Sequence, residues 1–368
     1  MIKIKGSYAE AIIYFEVLDS NSDGLIKALC NSVIGDGSKI RVMPDVHPGK
    51  GCAVGLTMTL TDRIAPGLVG ADIGCGVEVA QVKPKRLELQ QLDKVIQNKI
   101  PSGMQIRQTP HRFAEMAELE KLRCAKHIRI DKASLGIGTL GGGNHFIELD
   151  KSDSGYYLVI HSGSRHLGVE VECYYHELAY TRTKDEVPYE FAYLEGELFD
   201  DYLHDMNIVR NFARLNRQAI AAEIIKSLKF TQLTSFSTVH NYIDTENKIL
   251  RKGAISAQDG ERMIIPLNMR DGCLICRGKG NADWNCSAPH GAGRAFNRTD
   301  TVNAFTLSQY KKEMQGIYST SISRETLDEC PMAYKDSETI AEQIKPPAEV
   351  VERLTPIYNF KAGARRRT

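Results

Sequence analysis

Asn285-Cys286-Ser287-Ala288-Pro289-His290-Gly291-Ala292-Gly293-Arg294 is the stretch around which the chain is organised. Proline fixes the backbone just before His290, while Gly291 and Gly293 let backbone N–H groups approach a ligand closely. Arg294 adds a planar fork of donors suited to phosphate. Taken alone, the stretch is a tight turn carrying a surface histidine. Met263–Pro266 and Cys273–Cys276 read as buried strands leading into it, which puts His290 at a strand end, where sites gather.

Working back toward the N-terminus, the same pattern recurs. The strand-like run Ile40–Met43 breaks at Pro44 into a loop with Asp45, His47 and Lys50 among glycines. Val54–Leu60 and Val77–Val82 read as strands around Gly70-Ala71-Asp72-Ile73-Gly74-Cys75-Gly76. The glycine-dense run Gly136–Gly143 precedes Asn144-His145-Phe146-Ile147-Glu148-Leu149, with neither a Walker nor a Rossmann fingerprint. Tyr157–Ile160 delivers His161 through Arg165, and Ser237–Asn241 carries His240. Helices are predicted at Leu25–Ile34, Leu87–Ile100, Pro110–Ile128 and Leu194–Leu228. The arginines 210, 214 and 217 of the last one read as a solvated face. Polar helices prevail from Phe305 to about Ala341, and a basic run, Arg365–Arg367, ends the chain.

The 368 residues, 42% apolar, suffice for a large core. No repeat, low-complexity block or linker interrupts them, so one domain over 1–368 is expected. Lys+Arg of 47 against Asp+Glu of 46 means that a nucleic-acid partner would need a local basic patch. Met1–Tyr14 lacks a signal-peptide pattern, and no run reaches the length of a membrane span. With nine cysteines in no regular framework, a reducing, cytoplasmic setting is expected, in which thiols serve as ligands or core filler.

Five metal-competent side chains stand at loop edges: Asp72, Cys75, His145, His161 and His240. They exceed what one tetrahedral ion needs, so a binuclear site sharing the thiolate fits. Two ions about 3.5–4 Å apart suit phosphoryl transfer. Cysteine and imidazole favour zinc, whereas Asp72 and phosphate oxygens suit manganese. A competing zinc site is spelled by Cys273-x2-Cys276-x9-Cys286-x3-His290, although Cys273–Cys276 lies in a strand-like run, where alternate side chains point to opposite faces. With the five ligands assigned, His290 becomes free to attack the α-phosphorus of a bound triphosphate. Lys361, Arg294 and Lys252 are the candidate cations for screening the phosphate charge.

Taken together and in order, the segments from Met43-Pro44-Asp45-Val46-His47 to Pro289–Arg294 resemble the RtcB family of RNA-splicing ligases, with Lys361 a weaker match. The resemblance implies an α+β fold of mixed sheets with flanking helices. It implies a GTP- and manganese-dependent ligase in which His290 becomes a histidine–GMP adduct. GMP passes to an RNA 3′-phosphate, a 2′,3′-cyclic phosphate being opened first, and a 5′-hydroxyl then seals the strand. By position, one manganese would sit on Asp72, Cys75 and His145, and the other on Cys75, His161 and His240. The nucleotide site would comprise Asn144, His145, Phe146, Ile147, Glu148, His240, Asn241, Pro266, Leu267, Asn268, Met269, Cys273, His290, Gly291, Ala292, Gly293 and Lys361. Asp45 resembles an acid needed near the reacting ends.

Two departures bear on nucleotide choice: Leu267 replaces a glycine of the family pattern, and Cys273 replaces a serine. The expected partners are GTP and RNA with broken ends, such as tRNA or rRNA fragments, with no membrane. The short chain resembles bacterial paralogues that would repair RNA. The alternative readings are a metal-dependent 2′,3′-cyclic phosphodiesterase without ligation, and an RNA-binding protein with a structural zinc.

Overall fold

Alternating apolar positions make Phe146–Ser152 and Gly155–Ser162 an antiparallel pair, with Phe146 opposite His161. In the computed structural model, which describes residues 1–363, this pair is central to a seven-stranded sheet. The Arg365–Arg367 run lies outside the described residues. The sheet order is Arg262–Asn268, Gly272–Gly278, Ala348–Lys361, Phe146–Ser152, Gly155–Ser162, Gly76–Lys83 and Thr231–Val239. Its outer strands touch: Ile264 N–H donates to Thr238 Oγ1 at 3.3 Å, and the Arg262 guanidinium lies 4.5 Å from the Phe236 ring. The twist thus rolls the sheet into a partly closed barrel.

The period of two then decides what each residue does. Val77, Val79, Phe146, Val159, Ile264, Cys273 and Leu354 pack together on one face. Ala80, Ile147, Leu149, Leu158 and Ile160 turn to the other, against Leu92 and Ile96 of helix Leu89–Lys99 and Ile220 and Ile224 of helix Glu197–Leu228. A second sheet of six strands holds Ile40–His47 and Val54–Thr59, and a third pairs Ala254–Ser256 with Ser287–Pro289. That short ladder, with Ala254 opposite Pro289, brings His290 out at its end. The whole is a mixed α+β domain with flanking helices.

The long helix Glu197–Leu228 also acts as a brace. Asn216 Oδ1 accepts from the N–H groups of Gly138 (2.8 Å) and Thr139 (3.0 Å), and its Nδ2 donates to Gly163 O. Arg217, fully buried, donates to Gly74 O and Ser162 O. Arg217 therefore corrects the expectation of a solvated arginine: from inside, it ties the Gly74 turn to the end of strand Gly155–Ser162.

Pro110–Ile128 is no helix but three short 3-10 turns, interrupted where Glu118 adopts a left-handed φ of 51°. Met116 is exposed, while Ala117 and Leu122 are buried. The first helix spans Ser20–Cys30, begun by the Asp19 carboxylate accepting from Asn21 and Ser22. Helix Arg165–Thr183 was not evident in the sequence: its aromatic and β-branched residues are spread around it. Val350–Leu354 belongs to the 14-residue strand Ala348–Lys361. No helix among the described residues is long and apolar enough to cross a membrane.

Candidate active site

Cys75 is delivered by a turn that only glycine permits. Gly74 has φ +73°, and a Cβ there would lie 2.7 Å from Arg210 Cα of the long helix. Cys75 Sγ sits 3.5 Å from His145 Nε2 and 3.3 Å from His161 Nε2. His161 Nε2 in turn is 3.1 Å from His240 Nε2. His161 Nδ1 contacts Asn144 O at 3.1 Å; a carbonyl only accepts, so Nδ1 bears the hydrogen and the Nε2 lone pair faces the cluster. Cys75, His161 and His240 are buried and have donor atoms within mutual reach, and His145 contacts the same sulfur.

The electrostatics favour lone pairs here. Burial, then Arg165, lowers His145 to about 3; burial and neighbouring imidazoles lower His161 and His240 far below the usual range. Burial and the Asp72 charge push the Cys75 thiol up. A divalent cation would reverse that last effect by stabilising the thiolate, so these residues fit a metal. Asp72 shares the turn through Cys75 N–H donating to Asp72 O at 3.0 Å. Its side chain is open to solvent at the rim, although the surrounding protein desolvates it enough to raise its carboxyl.

His290 lies against this cluster, its ring 4.7 Å from that of His240 and 10° from parallel. Its Nδ1 is 2.7 Å from Asp45 Oδ2, which also accepts the His290 backbone N–H at 3.1 Å. Because a carboxylate accepts, Nδ1 carries the hydrogen, and in the neutral ring the lone pair lies on Nε2. Asp45 comes from strand Ile40–His47, is wholly buried, and has no partner for Oδ1.

A cleft of about 880 Å³ opens over this pair. Of the expected nucleotide-site residues, Asn144, Phe146, Glu148, His240, Pro266, Leu267, Asn268, Met269, His290, Gly291, Ala292, Gly293 and Lys361 line it. Ile147 does not: strand alternation turns it into the core on the opposite face. Asn241 is also absent from the wall, its Oδ1 accepting from Gly253 N–H at 2.7 Å. Cys273 lies behind Glu148, its sulfur 3.8 Å from Glu148 Oε2, fully buried beside Asp150. Asn359 Nδ2 donates to the other Glu148 oxygen. Burial raises both the Glu148 and Asp150 carboxyls.

Leu267 has none of the left-handed φ that would call for glycine, and its side chain packs into the core beneath the strand. The zinc quartet does not assemble. Cys276 faces that same core, on the opposite side of its strand from Cys273, and Cys276, Cys286 and His290 join no metal-competent cluster among the described residues. Of the expected cations, Lys361 and Arg294 line the cleft, whereas Lys252 is turned away, donating to Lys50 O and Gly67 O.

Sequence reading missed Glu329, Arg298 and Lys335. Glu329, nearly fully buried, receives Lys361 Nζ at 2.8 Å, Arg298 at 2.6 Å, Arg294 at 3.3 Å and the Tyr334 hydroxyl at 2.6 Å. Burial alone would raise its carboxyl, but Lys361 and Arg298 outweigh that and hold it far below the usual range. Nothing local in the sequence marks these residues; only the fold brings Arg298 and Lys335 to the cleft and sets Glu329 behind its cations.

Residues 32–362 match the family described as tRNA-splicing ligase RtcB. The chain is 33% identical to RNA-splicing ligase RtcB of Escherichia coli K12, covering 88% of this chain and 90% of that protein. The chain belongs to the RtcB family. RNA-splicing ligase RtcB1 of Escherichia coli ATCC 25922 is 32% identical over the same shares. The tRNA-splicing ligase RtcB of the Methanococcus maripaludis strain S2 / LL is 28% identical over 82% of each chain. The matched region spans all five expected ligands, His290, Asp45 and Lys361.

Proposed function

We propose that this chain is an RNA ligase that joins a 3′-phosphate, or a 2′,3′-cyclic phosphate after its opening, to a 5′-hydroxyl at the expense of GTP. The observation that carries the reading is the Asp45–His290 hydrogen bond, which frees His290 Nε2 beside the His240 ring. Asp45 holds the hydrogen on Nδ1 and orients the ring. His290 Nε2 attacks the α-phosphorus, forming the N–P bond as pyrophosphate leaves. The RNA 3′-phosphate displaces His290 and takes GMP, and the 5′-hydroxyl then displaces GMP as the strand closes.

Asp72, Cys75 and His145, and Cys75, His161 and His240, would hold two manganese ions, whose chemistry is to neutralise charge on phosphate oxygens. Lys361, fixed on Glu329 and 5.5 Å from the Phe146 ring centre, and Arg294 supply fixed positive charge on the wall. Glu148 presents a carboxyl to the nucleobase. A cyclic phosphodiesterase without ligation would use the same Asp45–His290 pair as a general base on water, so the requirement for GTP is what separates the two readings. The test is an assay with RNA bearing 3′-phosphate and 5′-hydroxyl ends. Joined product should require both GTP and manganese; joining without GTP, or end hydrolysis alone, would count against the proposal.

A further inference from the structure

The segment Ala333–Lys335 runs beside the loop that carries His290. Ala295 N–H donates to Ala333 O at 2.9 Å, and Lys335 N–H donates to Gly293 O at 3.0 Å. The Lys335 side chain then crosses to the other member of the pair. Its Nζ donates to Pro44 O and Val46 O, both at 2.9 Å, the carbonyls on either side of Asp45. It also lies 3.9 Å from the centre of the Phe15 ring, a cation–π contact. The Asp45 strand and the His290 loop meet without room for a Cβ: one added at Gly293 would lie 2.3 Å from Asp45 O.

One residue thus holds the Asp45 strand and the His290 loop by three hydrogen bonds, although Asp45 and His290 are 245 positions apart in the chain. Since Asp45 Oδ1 has no partner, the carboxylate is fixed by its own backbone and by His290. We propose that Lys335 is a positioning residue: by pinning the backbone on both sides of Asp45 to the His290 loop, it sets the Asp45–His290 hydrogen bond and so the direction of the Nε2 lone pair. The inference rests on the proposed role of His290. Burial lowers the Lys335 ammonium to about 8, with the Asp45 charge opposing, as expected for a cation withdrawn from water to serve as a fixed donor.

The test combines an NMR readout that needs no nucleotide with a kinetic one. In protein labelled with ¹⁵N-histidine, the His290 Nδ1–H signal is assigned by its loss in His290→Ala. Lys335→Met should shift or broaden that signal and slow His290 guanylylation at saturating GTP about tenfold to 100-fold. The KM for GTP should change less than about twofold, since positioning acts on the chemical step. Lys335→Arg should restore both signal and rate. An unmoved signal in a folded Lys335→Met protein would overturn the proposal. If the wild type takes no label from GTP yet the signal still responds to Lys335→Met, the positioning role stands and the nucleotide reading falls. Should Lys335→Met fail to fold, Lys335→Gln, which keeps an N–H donor group but is shorter and uncharged, is read by the same criteria.

Discussion

The Nε2 atoms of His161 and His240 face each other at 3.1 Å, with the Cys75 sulfur 3.3 Å from the first of them. One hydrogen can serve only one of these contacts, whereas a cation can draw on all three donors. Cys75→Ser and His161→Asn should each lower manganese affinity by at least about tenfold to 100-fold, the scale seen even for residues one step removed from a metal. Metal analysis after equilibrium dialysis measures it. Unchanged stoichiometry and affinity in both variants would remove this cluster from the metal site.

Asp45→Asn tests the tautomer. An amide can present N–H to the ring and move the hydrogen from Nδ1 to Nε2, taking away the lone pair. The rate of His290 guanylylation should fall on the order of 10²–10⁴-fold. The KM for GTP should stay within a few-fold, because Asp45 lies outside the cleft wall. Single-turnover kinetics separates the two quantities.

Neighbours on one strand should behave oppositely. Glu148 faces the cleft and Ile147 the core. Glu148→Ala should raise the KM for GTP with little loss of stability. Ile147→Ala should leave that KM unchanged and cost about 2–5 kcal/mol, the usual cavity penalty. Nucleotide titrations and denaturant melts on both proteins decide it. A reversal would mean that the strand register is wrong for this reading.

The fold was legible where period and punctuation agree. The glycine-flanked strand ends announced Cys75, His145, His161 and His240, and the helical spacing of Leu194–Leu228 gave a helix close to Glu197–Leu228. Pro110–Ile128 misled because its apolar spacing is helical while Glu118 is left-handed. Ile147 enters the expected nucleotide site as part of the run Asn144–Glu148, and Cys273 through its match to a family serine; strand alternation hides the first in the core, and the second lies a layer back behind Glu148. Lys335 and Glu329 were invisible because their contacts span long separations in the chain.

His47 gives a pH prediction. Burial lowers it from 6.5 to about 4, against the Asp45 carbonyl that its Nδ1 contacts at 2.9 Å. A histidine depressed by folding contributes its stability fully above the unfolded value of 6.5. As pH falls toward 4 the unfolded chain takes the proton first and that stability is lost. The metal-free protein should therefore lose Tm over this window, and His47→Asn should flatten the loss. Identical Tm profiles would contradict the assignment.

The central claim is that His290 is the nucleophile. Incubating the protein with GTP labelled at the α-phosphate, in the presence of manganese, and mapping the modified peptide tests it most directly. The account predicts an acid-labile GMP adduct on His290, absent from His290→Ala. Undiminished labelling of His290→Ala, or an adduct mapped to another residue, would contradict it.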